Sequence, residues 1–164
     1  MKKTVYVAFS ADILHEGHIN ILKKASSYGR VIVGLLTDKA ITQYKKLPHL
    51  NYSQREIILK NIRFVDKVIP QKKLDYVDNL NQIRPDYVVH GDDWKKGVQK
   101  KTRERVIKTL KKWNGKLIEV SYDTKNSQAK IGRMSSQLGT TPEKRRVTLR
   151  KLLAAKKIVR IMEV

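Results

Sequence analysis

Five short apolar runs alternate along the chain with longer segments whose apolar positions recur at helical spacing. The runs are Val5–Phe9, Val31–Leu36, Phe64–Ile69, Tyr87–His90 and Lys116–Val120. Each is short and largely apolar, as strands covered on both faces tend to be. Between the first two, Ile19, Leu22, Ala25 and Ser26 put a mostly apolar stripe on a helix that Gly29 ends. Ser53 followed by Glu56 reads as a capping box opening a second helix through Ile62. A third helix is expected from Asp75 to Ile83, stopped by Arg84-Pro85, and a fourth from Gln99 to Trp113, ended by Asn114-Gly115. Such alternation is the mark of a parallel sheet with crossover helices. The expectation is an α/β fold, Rossmann-like, with a five-stranded parallel sheet and helices on both faces.

After Tyr122 the character changes. Asp123 to Thr141 holds Asn, Ser, Gln and Gly with little periodicity and reads as a loop, a weak helix and a linker. Thr141-Pro142-Glu143 then resembles a helix start, with Thr141 as N-cap and Pro142 at the first helical position. Val147, Leu149, Leu152 and Leu153 give that helix an apolar side.

Composition narrows the chemistry. The 164 residues include no cysteine, which removes disulfides, thiolate metal sites and Cys nucleophiles. No apolar run approaches the length of a bilayer span. Met1-Lys2-Lys3-Thr4 leads straight into the first strand and lacks the pattern of a secretory signal, so a cytoplasmic location is expected. The formal net charge is +21. Residues 1–124 hold 25 Lys/Arg against 13 Asp/Glu, and residues 125–164 hold 11 against 2. Three explanations compete: nucleic-acid binding, steering of an anionic substrate such as a nucleoside triphosphate, and lysine-rich solvated faces. Aromatic residues do not interleave the basic runs as a base-stacking platform requires. The second and third explanations are favoured together, and nucleic acid is not the expected partner.

The candidate chemistry lies in Ser10-Ala11-Asp12-Ile13-Leu14-His15-Glu16-Gly17-His18, between the first strand and the first helix. In a parallel sheet this turn sits at the carboxyl end of a strand, where ligands bind. The helix that follows aims its positive dipole end at the crevice. Gly17, lacking a Cβ, lets backbone approach a phosphate. His15 and His18, three residues apart, share one side of the first helical turn. Both imidazoles could donate to phosphate oxygens that gain charge in a transition state. The plainer alternative makes His15 a capping or core histidine and His18 an exposed one. A zinc site is a poor fit, for want of a third ligand and the right spacing.

A second group, His90-Gly91-Asp92-Asp93-Trp94, follows the fourth strand and falls on the same rim. Its adjacent carboxylates could bind Mg²⁺ through water, or accept hydrogen bonds from ribose hydroxyls or an exocyclic amine. A plain Gly-Asp turn with solvated acids is the alternative. The loop Asp38 to Ser53 carries Lys45 and Lys46 ahead of Leu47-Pro48-His49, flexible cations placed to close on a triphosphate.

With these residues in view, the chain resembles the cytidylyltransferases, most closely the glycerol-3-phosphate cytidylyltransferase group, from about Lys3 to Lys130. The likeness rests on His15-Glu16-Gly17-His18, Thr37-Asp38, Lys46, Arg55, Arg63-Phe64-Val65-Asp66, Val68-Ile69-Pro70 and His90-Gly91-Asp92-Asp93-Trp94, met in that order. It implies a nucleotidyltransferase fold, attack by an acceptor oxygen on the α-phosphorus of CTP, Mg²⁺ as cofactor and a homodimer. It implies His15, His18 and Lys46 as catalytic residues. The nucleotide-binding set it implies is Ser10, Ala11, Asp12, Glu16, Gly17, His90, Gly91, Asp92, Asp93, Thr124 and Ser127, with metal ligands left unassigned.

Two departures qualify the likeness. Val77 stands where the glycerol-phosphate enzymes carry a lysine for the acceptor, which argues against glycerol 3-phosphate. The late phosphate-binding loop reads Asp123-Thr124-Lys125-Asn126-Ser127-Gln128-Ala129-Lys130, one residue short and without the group's arginine. Leu149-Arg150-Lys151-Leu152-Leu153 and Lys157 to Val164 look like the opening of a phosphoenolpyruvate mutase. The chain is thus similar to the first domain of fused mutase/cytidylyltransferase proteins of phosphonate pathways, where the acceptor is 2-hydroxyethylphosphonate. The expected division is a nucleotidyltransferase domain over 1–130, a linker over 131–141, and a helix with the start of a fused mutase-like segment over 142–164. The competing functions are an adenylyltransferase on the same scaffold and a non-catalytic basic nucleic-acid-binding module.

Overall fold

Alternate residues of the first strand feed two different cores. In a computed structural model that describes residues 2–44, 46–95 and 99–121, strand β1 (Thr4–Phe9) sends Val5, Val7 and Phe9 to one face and Tyr6 and Ala8 to the other. All five are buried. On the first face they meet Val31, Val33 and Leu35 of β2 (Arg30–Leu36), Leu22 of helix α1 (Glu16–Ser26) and Leu59 of α3 (Tyr52–Lys60). On the second they meet Leu80 of α4 (Val77–Ile83) and Val106 and Leu110 of α5 (Lys100–Leu110). A strand apolar on both faces must be covered on both, and the helices divide accordingly.

Strands β3 (Lys67–Gln71), β4 (Tyr87–Gly91) and β5 (Lys116–Val120) complete a five-stranded sheet in the order β3-β2-β1-β4-β5, every described pairing parallel. This is the expected α/β Rossmann-like architecture. The chain direction of winding reverses between β1 and β4, which makes their carboxyl ends the switch point where ligands bind in such sheets. The β1–β2 ladder runs from Thr4↔Arg30 to Phe9↔Leu35, whereas β1 meets β4 only at Val5↔Tyr87 and Tyr6↔Val88. Beyond Tyr6 the two strands part.

Four expected boundaries move, each for a local reason. β3 begins at Lys67, not Phe64, because Asp66 closes a turn: its carboxylate accepts the Val31 N–H at 2.7 Å and its own N–H reaches the Val31 carbonyl. The capping box is Asn51/Gln54, not Ser53/Glu56. Asn51 Oδ1 accepts the Gln54 N–H while Gln54 Oε1 accepts the Asn51 N–H, both at 3.0 Å. α4 starts at Val77, whose N–H is taken by the Asp75 carboxylate, and ends at Arg84 in the left-handed region. α5 stops at Leu110 and tightens into a 3₁₀ turn, Lys111–Trp113, before Asn114 at φ +61°. The segment read as a loop from Asp38 opens instead with a short helix, α2 (Asp38–Thr42), capped by the Thr37 hydroxyl.

Two glycines are required by close approach. Gly29, at φ +157°, lies against the Lys3 carbonyl, and a Cβ there would overlap it. Gly34 of β2 leaves the space that the Tyr6 ring fills, with the Tyr6 hydroxyl bonded to Gln71 and Asn79 in the interior.

Candidate active site

β1 delivers Ser10 and Ala11 to the rim. Ala11 sits at φ +49°, a left-handed conformation that costs an alanine about 1–2 kcal/mol. The turn is therefore held by its surroundings, and the Ala11 methyl is buried in the core. Any contact of Ala11 with a ligand runs through its backbone.

His15 is the N-cap of α1, in extended conformation, and its Nδ1 accepts the Gly17 N–H at 3.1 Å. That bond needs the lone pair on Nδ1, so the neutral ring carries its proton on Nε2, a donor. Burial lowers the His15 pKa, which keeps that tautomer at neutral pH. The plain reading of His15 as a cap is thus correct as far as it goes, and capping is what leaves Nε2 as the donor. His18 is half-buried rather than exposed: its Nδ1 is buried and its ring meets Phe9 edge-on at 5.0 Å. The two imidazoles lie 4.0 Å apart, centre to centre. Glu16 is exposed in the first turn, where its charge favours the helix dipole. The Gly17 N–H is spent on the cap and is not free to donate to a phosphate.

Asp12 fastens a second segment to this turn. Its carboxylate accepts the His49 N–H at 2.7 Å and the Leu50 N–H at 3.5 Å, and meets His49 Nδ1 at 3.1 Å. Burial pushes the Asp12 carboxyl up, but the His49 contacts outweigh it and hold it below its usual range. Asp12 therefore serves as a latch for the loop carrying exposed Lys46. That loop is pinned, not free. Lys45 lies outside the described residues.

Arg55 holds the same loop from beneath. It is fully buried, yet each of its three nitrogens has an acceptor: Nε donates to the Leu50 carbonyl at 3.0 Å, Nη1 to the Ser10 and Leu36 carbonyls, and Nη2 to the Asp38 carboxylate at 2.6 Å. One side chain joins the ends of β1 and β2, α2 and the Lys46–Leu50 loop. Arg55 is one of the residues that carry the likeness but is assigned no role there, although Arg55, Leu59 and Ile62 share the i, i+4, i+7 spacing of a buried stripe. A charge on that stripe was the available signal.

Across the switch point, His90 is the last residue but one of β4 and Asp92–Lys95 forms a 3₁₀ turn. His90 Nδ1 donates to the Gly91 carbonyl at 2.8 Å, and its ring stacks on Trp94 at 3.8 Å and 6°. Burial lowers the His90 pKa, so the ring is neutral with Nε2 as an acceptor. Asp93 is exposed and Asp92 half-buried. Fold topology thus sets two groups on one rim: Ser10 to His18 with Lys46 on one side, His90 to Asp93 on the other. Thr124 and Ser127 lie outside the described residues, as does everything assigned to 131–164.

Among the described residues, no group of three or more His, Cys, Asp or Glu side chains could hold a metal ion. No helix among them is long and apolar enough to cross a membrane.

A family model for cytidylyltransferase-like proteins matches residues 10–154. The chain is 41% identical over 101 residues to a glycerol-3-phosphate cytidylyltransferase of Bacillus subtilis (strain 168), covering 57% of this chain and 74% of that one. It is 37% identical over 100 residues to an FAD synthase of Korarchaeum cryptofilum (strain OPF8), covering 57% and 67%. Among solved structures, the lipopolysaccharide core biosynthesis protein from Thermoplasma volcanium GSS1 superposes with a TM-score of 0.65 at 22% identity, over 75% of this chain and 99% of that one.

Proposed function

The chain belongs to the cytidylyltransferase-like family of nucleotidyltransferases, and from that premise we propose that it transfers CMP from CTP to a small phosphonate or alcohol phosphate, with 2-hydroxyethylphosphonate as the leading acceptor. The acceptor oxygen forms a bond to the α-phosphorus as the bond to the β-phosphate oxygen breaks, and pyrophosphate leaves. A phosphonate or phosphate oxygen is already anionic at neutral pH, so no protein nucleophile is required. Positioning and charge stabilisation supply the rate.

The observation that supports this reading is the imidazole pair at the start of α1, 4.0 Å apart and just beyond the carboxyl end of β1. His15 offers Nε2–H to the oxygens that gain charge, and His18 stands beside it. Lys46 reaches the triphosphate from a loop latched to the same turn by Asp12. Asp92 and Asp93 take the ribose. Asp92 and Asp93 would hold Mg²⁺ through water only as an ion carried in by the triphosphate, where it would neutralise phosphate charge. Val77, which opens α4, brings no cation to the acceptor. That favours a phosphonate or another alcohol phosphate over glycerol 3-phosphate. A homodimer and a fused mutase-like segment beyond residue 142 complete the proposal; light scattering on the purified chain tests the first.

The test is a screen of nucleoside triphosphates against 2-hydroxyethylphosphonate, phosphocholine and glycerol 3-phosphate, read as pyrophosphate release. Turnover with CTP and the phosphonate supports the proposal; turnover with glycerol 3-phosphate alone overturns the acceptor. The FAD synthase relative favours one second reading, since FAD contains an adenine nucleotide. Release from ATP and not CTP would establish adenylyl transfer in its place.

A further inference from the structure

Glu119 belongs to β5 and to neither motif, yet its carboxylate accepts three side-chain hydrogen bonds. Oε1 accepts the Trp94 Nε1–H at 2.8 Å and the Arg103 Nε–H at 2.9 Å; Oε2 accepts Arg103 Nη2 at 2.9 Å and has Lys95 Nζ at 3.7 Å. The Arg103 guanidinium holds the Glu119 carboxyl down to about 2, so it is ionised throughout the working range. Trp94, its other partner, is buried to 1% exposure and lies face to face with His90. A continuous run of contacts therefore leads from α5 through β5 to the rim: Arg103, Glu119, Trp94, His90.

A buried indole N–H needs one acceptor, which a carbonyl or amide would supply. A carboxylate gripped by a two-pronged guanidinium supplies more, because the planar fork fixes the orientation of both oxygens. Arg103 and Glu119 keep 28% and 18% of their side-chain surface, so the two-pronged pair is largely shielded from solvent. What the pair sets is where the Trp94 ring lies. That ring, stacked at 3.8 Å, is the closest to His90 of the rings beside it, Tyr76 lying at 6.3 Å; His90 Nδ1 bonds the Gly91 carbonyl and stands 3.8 Å from the Asp93 carboxylate.

We propose that Glu119 and Arg103 are positioning residues, holding Trp94 and through it His90 and the Gly91–Asp93 rim in the geometry that binds the nucleoside half of the nucleotide. The inference rests on the reading above that this rim takes the nucleotide. Glu119 and Arg103 touch no reacting atom, so they act on nucleotide binding and not on the phosphoryl step.

The experiment uses the full chain with Glu119→Ala, Glu119→Gln and Arg103→Lys, each measured by CTP calorimetry and by steady-state pyrophosphate release below the melting range. Glu119→Ala is expected to raise both the Kd and the KM for CTP about tenfold while kcat changes less than about threefold. Glu119→Gln keeps an acceptor for Trp94 but loses the fork, and should fall between Ala and wild type. In a Trp113→Phe background Trp94 is the sole tryptophan, and its emission should shift in each variant even without nucleotide. Wild-type CTP affinity in Glu119→Ala, with wild-type Trp94 emission, overturns the proposal. A fall in kcat at constant KM also overturns it. Should Glu119→Ala not fold, Glu119→Gln and Arg103→Lys decide by the same measures. A wild-type chain that binds no nucleoside triphosphate ends the functional reading and this one with it, whereas wild-type binding unaltered by the variants ends this one alone.

Discussion

His15 Nδ1 accepts the Gly17 N–H at 3.1 Å, and by doing so directs the other nitrogen of the ring outward as a donor. The two jobs of this residue can be separated. Asparagine also caps a helix but cannot reach where Nε2 reaches. His15→Asn should therefore keep the stability of the wild type and lose about a hundred- to a thousandfold in turnover, as removal of a donor aimed at developing charge does. His15→Ala should lose the same turnover and, in addition, about 1 kcal/mol of stability with the cap. Pyrophosphate release and urea denaturation on both variants check this. Full turnover in His15→Asn would show that the ring is a cap and nothing more. His18→Ala should lose turnover comparably, with CTP affinity falling much less.

Arg55 leaves three carbonyls, those of Ser10, Leu36 and Leu50, with a donor that no other described side chain replaces. Arg55→Met fills the volume without the charge and strands those acceptors. It should cost on the order of 3 kcal/mol, visible as a lower urea midpoint. A loss below about 1 kcal/mol would mean that water reaches these carbonyls readily and that the residue is no hub.

Nucleotide choice follows from the family and from the Gly91-Asp92-Asp93 rim. CTP should bind more tightly than ATP, GTP or UTP in calorimetric titration with Mg²⁺ present. A clear preference for ATP transfers the assignment to the adenylyl reading.

Burial lowers the pKa of His90 from its ordinary 6.5. The unfolded chain then binds this proton more tightly than the folded one, so stability rises with pH across the window between the two values. Its contribution is complete above about 6.5, the unfolded value, and is lost as pH falls through the lowered folded value. His15, lowered in the same direction, adds to the effect. The urea midpoint should drop between pH 7.5 and pH 5, and the drop should be smaller in His90→Phe, which keeps a ring over Trp94 and does not titrate. An equal drop in both proteins would place the titration elsewhere.

The parallel sheet, its five strands and both rim motifs were legible in the chain because their signals are local; the strand order was not. A strand such as Val5–Phe9 announces itself by apolar residues on both faces, and His15-Glu16-Gly17-His18 is contiguous. Boundaries shifted where a side chain several residues away settled the matter. Asp66 ends its turn by bonding Val31, and Asn51, two residues before the expected cap, completes a box with Gln54. Asp12 was expected near phosphates as one acid among several; its bonds to His49 and Leu50 depend on a loop 37 residues on. Arg55 and Glu119 were harder still. Their partners lie on other elements, at separations from 5 to 45 residues, and periodicity carries no record of such pairs.

The short ladder between β1 and β4 ties the two halves of the rim together only at their base. Its two bridges, Val5↔Tyr87 and Tyr6↔Val88, leave Val7, Ala8 and Phe9 of β1 without a described partner on β4. Above them, the turn from Ser10 to His18 and the segment from His90 to Asp93 are carried by different strands with no described ladder between them. A ligand that touches both groups would therefore supply a link that the sheet itself does not.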